Sequence, residues 1–222
     1  RKRRTWGSLF ELLEKEVAKK AVGARTALLK EMAQLASERL NKPDDAVRLF
    51  RQILDEEPER LEVLDALEKH AERSKDWSTL AYALERRVAV AADEAARIAV
   101  LQKLGSVYSD HLSDMASSIN AWRRVLELSP GHPRALRVLR DAYLQAADYE
   151  ELTALYASQN DWEGLVEVLS NTADRLVENE PKIALSYRAA TVYEEKLKQP
   201  ERAVRSYERV LSVDPSDVRA AK

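Results

Sequence analysis

The sequence has no cysteine, only five glycines and seven prolines in 222 residues, and almost no net charge, since 36 Lys and Arg against 38 Asp and Glu leave −2. Each shortage excludes something. Without thiols there is neither a disulfide framework nor a thiolate metal site. Near-neutrality removes the basic field that draws nucleic acid or an anionic membrane. No run of about 18 apolar residues offers a membrane span, and no signal peptide is visible, so membrane insertion is not expected and a cytoplasmic location is. A chain that opens "RKRR" without Met is read as a piece of a longer protein, and its basic run as a solvated linker remnant rather than a lipid or nucleic-acid anchor. Scarce glycine and proline amid abundant Ala, Leu, Glu and Arg favour helix nearly throughout.

What the chain does contain is a repeated phrase. "DDAVRLFRQILDEEP" ends at Pro58, "SSINAWRRVLELSP" at Pro130 and "ERAVRSYERVLSVDP" at Pro215. Superposed, they align Ala46, Ser118 and Ala203; Phe50, Trp122 and Tyr207; Ile53, Val125 and Val210; and Leu54, Leu126 and Leu211. Small, aromatic, β-branched and Leu positions at i, i+4, i+7 and i+8 form one stripe of an α-helix, which places the aromatic column in the core. The prolines then stop the helix, and Pro43 and Pro200 open two of them, where a missing N–H costs nothing. A second helix precedes each phrase. It aligns Ala33 with Gly105 and Ala190, and Ala36 with Tyr108 and Tyr193; the small residue lets two axes approach closely, so each unit reads as an antiparallel hairpin.

Hairpins of another kind lie between these. Leu64 and Leu67 correspond to Leu136 and Leu139, and a Trp followed by Leu three and seven residues later marks the second helix at Trp77, Leu80, Leu84 and at Trp162, Leu165, Leu169; Trp6, Leu9, Leu13 open the chain likewise. Two hairpins of about 35 residues per 72 signal a solenoid. Pro58 to Pro130 is 72 positions but Pro130 to Pro215 is 85, an excess of about 13. "DYEELTALYASQN", Asp148 to Asn160, has Tyr149, Leu152, Leu155 and Tyr156 at helical spacing and is read as an extra short helix, either a lengthened outer hairpin or a bend or binding feature.

The residues that carry catalytic or metal chemistry are scattered. His70, His111 and His132 have no ligand partner at metal spacing and are expected at the surface; there is no glycine-rich phosphate loop and no nucleophile elbow. No enzymatic activity, cofactor or metal is expected.

These hairpins resemble the tetratricopeptide repeat family, through a small residue then Tyr in the first helix (Gly105, Tyr108; Ala190, Tyr193) and Ala, aromatic, β-branched residue and Pro in the second (Ala203, Tyr207, Val210, Pro215). The Trp-type hairpins match only in their Leu spacing, and the others carry one extra residue in the inter-helix turn. The resemblance implies an all-α fold, an α-α superhelix that is a right-handed solenoid of antiparallel helix hairpins spanning 1–222 as one array, itself a fragment of a longer one. It also implies a protein-binding scaffold whose groove receives a peptide, a helix or a protein surface. The family's groove-facing positions fall on Lys30, Gln34 and Ser37; Glu62, Asp65 and Lys69; Gln102, Ser106 and Ser109; Arg134, Arg137 and Asp141; Tyr187 and Thr191. Each could equally be a solvated helix face. The Lys-and-Asn pair with which family members grip a terminal carboxylate is missing, since Lys30 is followed by Gln34, and Gln102 and Tyr187 stand where the equivalent hairpins would need Lys. A purely architectural or self-associating spacer is the alternative; an RNA-binding helical repeat is disfavoured by the charge and by Glu62 and Asp65. "DPSDVRAAK" matches the start of the next hairpin, so the chain is expected to stop two turns into a helix, leave the Val210 side open to water, fray or dock over 216–222, and self-associate there.

Overall fold

In a computed structural model, residues 2–20 and 22–221 are described, and for residues 2–4, 22 and 23 only the backbone. The basic run at 1–4 therefore lies outside the side chains described. Among the described residues there are twelve α-helices and no strand. They are α1 (Lys2–Val17), α2 (Val22–Leu35), α3 (Pro43–Glu56), α4 (Leu61–Ser74), α5 (Trp77–Ala89), α6 (Glu94–Asp110), α7 (Met115–Leu128), α8 (Pro133–Gln145), α9 (Tyr149–Ser158), α10 (Trp162–Arg175), α11 (Asn179–Thr191) and α12 (Pro200–Val213). π-helical turns extend α2 over Ala36–Leu40 and α11 over Val192–Leu197. The helices form two compact units, one up to Ser129 and one from Pro130.

Turn chemistry sets where each helix starts. Pro43, Pro133 and Pro200 occupy the first turn of α3, α8 and α12, and α3, α7 and α12 end two residues before Pro58, Pro130 and Pro215. Two turn types alternate. After α2, α6 and α11 a left-handed residue, Asn41, Ser113 or Lys198, is followed by an N–H that reaches back six residues: Lys42 to the Ala36 carbonyl, Asp114 to Tyr108 and Gln199 to Tyr193, each at 2.9 Å. After α4, α8 and α9 the left-handed residue is Lys75, Ala147 or Asn160, and the next N–H reaches back five: Asp76 to Ala71, Asp148 to Tyr143 and Asp161 to Tyr156. This is the tighter closure of an ordinary helix C-terminus. The longer turn is where the extra residue of the three matching hairpins goes, absorbed in two of them by a π-helical turn.

In the first unit α1 packs on α2, α2 on α3, α4 on α5, α5 on α6 and α6 on α7. Ala46, Phe50, Ile53 and Leu54 of α3 are buried, as are Ser118, Trp122 and Val125 of α7. Gly105 is there because Trp122 leaves no room: a Cβ on it would lie 2.5 Å from Trp122 Nε1. Ser118 Oγ donates to the Gly105 carbonyl at 2.9 Å, closing the same contact with a buried hydrogen bond. The stripe thins at its edge, since Leu126, Tyr207 and Leu211 are only half-buried where Leu54 and Phe50 are covered.

Trp6 in the second turn of α1, and Trp77 and Trp162 at the starts of α5 and α10, are half-buried, each faced by a residue from the end of a later helix or the turn after it. Arg39 lies over Trp6 at 5.5 Å, His111 stacks on Trp77 at 3.7 Å with planes 5° apart, and Lys196 lies over Trp162 at 5.3 Å. Arg39, His111 and Lys196 stand at equivalent repeat positions, 72 and 85 residues apart.

In the second unit α8 packs on α9, α9 on α10, α10 on α11 and α11 on α12. Sequence spacing pairs α8 with the Trp162 helix; the structure instead gives α8 the neighbour α9. The reason is in the turns. Asp148-Tyr149-Glu150-x-Leu152 and Asp161-Trp162-Glu163-x-Leu165 are the same phrase 13 residues apart, and both follow a left-handed residue. Asp148 accepts from the Glu151 N–H at 3.1 Å and Asp161 from the Gly164 N–H at 2.9 Å, as Asp76 does from Thr79 at 3.0 Å. Helix α9 therefore starts and stops like a complete element and buries Leu152 and Leu155. Val210, expected on an open face, is fully buried. Residues 218–221 form turns rather than a helix, and Asp217 anchors them by accepting from Tyr187 Oη at 2.6 Å and from the Arg219 and Ala220 N–H groups.

Outer helices are tied by ion pairs of constant direction. Arg86 of α5 meets Asp55 of α3 at 3.2 Å, Arg124 of α7 meets Glu85 of α5 at 3.0 Å, and on α12 Arg202 and Arg209 meet Glu163 and Asp174 of α10 at 2.8 and 2.7 Å.

Candidate functional site

Of the fourteen groove positions, six come together. Lys30, Gln34 and Ser37 from α2 and its π-helical extension, with Glu62, Asp65 and Lys69 from α4, line one open cleft of about 350 Å³ in the first unit. Helical spacing explains the convergence: 30, 34 and 37 lie on one face of one helix, and 62, 65 and 69 on one face of its neighbour. Phe50 supplies the apolar floor, and Glu38, His70 and Arg73 complete the wall.

The cleft carries both signs of charge, and part of that charge is already paired. Lys30 Nζ bonds Glu62 at 2.8 Å, and the Lys30 ammonium holds the Glu62 carboxyl below its ordinary range. Asp65 and Glu68 both engage Arg87, while Lys103 of α6 bonds Glu72 at 2.7 Å. Lys69 and Gln34 face solvent with no ion pair or hydrogen bond. A ligand therefore meets two exposed rim pairs, Lys30–Glu62 and Asp65–Arg87, which cost little to open in water, beside two uncommitted polar side chains.

His70, expected at the surface, is buried, with 6% of its area exposed. It sits there because its helix turns the i, i+3, i+6 face of Leu64, Leu67 and His70 inward. Ser37 Oγ accepts from Arg73 Nη2 at 2.5 Å and lies 2.8 Å from His70 Nδ1, while His70 Nε2 is buried without a hydrogen-bond partner. Burial first, and the Arg73 charge second, push the imidazole pKa down, against smaller opposing effects of Asp76 and the Pro43 backbone. The signal in sequence was the continuation of the Leu64 stripe to position 70. The other histidines behave otherwise: His111 is exposed against Trp77, and His132 caps α8, Nδ1 accepting from the Ala135 N–H at 3.2 Å.

The other eight positions do not join this cleft. Gln102, Ser106 and Ser109 lie along α6, where Ser109 Oγ bonds Asp110 at 2.7 Å. Arg134, Arg137 and Asp141 lie on α8, Asp141 paired with Arg140 at 2.8 Å. Tyr187 on α11 is covered by the chain itself: its hydroxyl bonds Asp217, Arg219 lies over its ring at 4.7 Å, and Tyr207 meets it edge-on at 6.0 Å. Thr191 Oγ1 donates to the Tyr187 carbonyl at 3.0 Å. Among the described residues no group of three or more His, Asp or Glu could hold a metal ion, and no helix is long and apolar enough to cross a membrane.

Residues 184–217, which make up α11, its π-helical turn and α12, match the tetratricopeptide repeat family. No curated protein sequence matches the chain. Among solved structures, MamA is 18% identical over 71% of this chain and 90% of its own, with a TM-score of 0.37. YrrB, described as a TPR protein with an unusual peptide-binding site, is 14% identical over 94% and 95%, with a TM-score of 0.37. The TPR2AB domain of yeast Sti1 is 18% identical over 89% and 81%, with a TM-score of 0.35. Overlap at that level carries nothing about function. The family match is local, but the matched hairpin recurs with the same columns and the same six-residue turn at 27–60 and 99–132, set back by the 85 and 72 residues that separate the prolines. The chain thus carries one hairpin that matches the tetratricopeptide repeat family and two more with the same columns and the same turn.

Proposed function

We propose that the protein is a non-catalytic interaction scaffold that takes a peptide segment of a partner protein in the cleft between α2 and α4. The observation that supports this most is the convergence of six polar side chains, two cationic, two anionic and two neutral, from two neighbouring helices over the Phe50 floor, with Lys69 and Gln34 uncommitted. Such a cleft favours a ligand that carries both charges, because each rim pair can be exchanged for an equivalent pair with the partner.

Peptides selected from a random display library on the full chain test the reading. Selected peptides are expected to perturb backbone amides at 30–38 and 62–73, and to lose at least tenfold in affinity on charge reversal at Lys69 or Asp65. Binders that ignore both substitutions, or perturb only amides outside those segments, would overturn it.

A further inference from the structure

We infer that the groove between α8 and α9 is a second docking site, in the other unit and independent of the α2–α4 cleft, for a partner peptide that carries a carboxylate beside bulky apolar side chains. The groove exists because of the extra helix. One stripe of α8, Pro133, Leu136, Arg137 and Arg140, faces Leu155 and Tyr156 of α9 across a cavity of about 420 Å³. That volume accepts a few side chains rather than a single ion.

Its chemistry is two cations set into an apolar wall. Arg137 is exposed and has no carboxylate partner. Arg140 holds its chain neighbour Asp141, by Nε at 2.9 Å and Nη2 at 2.8 Å, and also bonds the Tyr156 hydroxyl; the Asp141 contact is an exposed pair that a ligand carboxylate can replace. Tyr156 stays a hydroxyl donor, since burial raises its pKa. One acid, Asp161, borders the groove, but its Oδ1 accepts from the Gly164 N–H at 2.9 Å as the cap of α10. A Cβ at Gly164 would meet that carboxylate at 2.3 Å, so the glycine keeps it in place. The uncommitted charge is positive, and the complementary ligand is anionic. Apolar residues interleaved with both arginines favour a carboxylate peptide with leucine-like anchors, because a nucleic-acid strand would leave Leu136 and Leu155 without a partner. Arginine forks also suit a bidentate carboxylate.

The probes are a nine-residue peptide with two glutamates among three leucines, its lysine-for-glutamate and alanine-for-leucine versions, and an eight-nucleotide single-stranded DNA. Amide chemical shifts are read on the full chain at low salt. The glutamate–leucine peptide is expected to shift amides at 136–140 and 155–159. Arg137→Glu is expected to weaken it at least tenfold, and the lysine version is expected not to bind. Arg137→Gln, at an exposed side chain without a partner, gives the same test without reversing a charge. The inference is overturned if the glutamate–leucine peptide shifts only other segments, if neither Arg137 variant changes its affinity, or if the alanine version or the DNA binds as tightly. The α2–α4 cleft is read from amides at 30–38 and 62–73, so failure of one site is distinct from failure of the other.

Discussion

In the first unit α4 turns through Lys75 and Asp76 directly into α5, a 13-residue helix that packs against both its neighbours. In the second, α8 turns through Ala147 and Asp148 into a helix of only ten residues, and the same turn recurs at Asn160 and Asp161 before α10 begins. The two regions differ by one copy of a capped turn and helix. A left-handed residue, an aspartate cap, an aromatic and a leucine three residues on make a self-sufficient start, so the second unit accommodates one helix more than a hairpin would supply. A ten-residue helix is too short to persist alone; α9 persists because Leu152 and Leu155 are buried between α8 and α10.

The comparison is broken most completely by removing residues 148–160. That deletion joins Ala147 to Asp161 and Trp162, restoring the order Lys75, Asp76, Trp77. The variant is expected to keep its helicity per residue and a cooperative melt while losing the glutamate–leucine peptide. Loss of hydrogen-exchange protection at Leu185–Ala190 would show instead that α9 is indispensable to the second unit.

Next in size is the aromatic column. Trp122→Ala is expected to destabilise the first unit by about 3 to 5 kcal/mol in chemical denaturation, as a buried large-to-small change. Tyr207→Ala, at the half-buried equivalent in the second unit, is expected to cost less. Gly105→Ala forces a methyl into the Trp122 ring and is expected to cost about 1 to 3 kcal/mol. The double variant should cost less than the sum, since the added methyl fills part of the void; strict additivity would mean that the two sites do not touch.

The caps rank below these. Asp76→Ala, Asp148→Ala and Asp161→Ala are each expected to cost about 1 kcal/mol. In hydrogen exchange the Asp148 variant should loosen α9 before α5 or α10; equal loosening of all three helices would contradict the independence of that turn.

The smallest effect is that of pH on His70. Its folded pKa lies below the unfolded value near 6.5, so the neutral imidazole contributes stability fully present above about pH 6.5 and lost as pH falls towards the folded pKa. The melting temperature of the first unit should therefore drop between pH 7 and 5, and His70→Asn should remove that slope. An unchanged slope in the variant would assign it to other groups.

Proline placement, the small–aromatic columns and the 72-residue spacing were enough to read helix limits and hairpins, because they reflect backbone sterics and a stripe period that no distant contact overrides. The placement of α9 was not legible from spacing, which counts residues but does not say which helix takes a neighbour's place. A lone histidine reads by its type as a surface residue, whereas the position of His70 on the Leu64 stripe decides its burial. For the groove positions, spacing selects a helix face; whether two faces meet depends on the packing of α2 with α4. At Tyr187 that face is taken by Asp217 and Arg219.

The ion pairs between outer helices share a direction: the arginine always lies on the later helix and the carboxylate on the earlier one. Each exposed pair contributes at most about 1 kcal/mol, so the series matters little to the melting point. It matters to orientation. A hairpin docked the wrong way round on its neighbour would set arginine against arginine, whereas the observed direction sets arginine against carboxylate at all four pairs. Within each unit the pairs thus give the stack a direction, readable at low ionic strength and muted as salt shortens the reach of each charge.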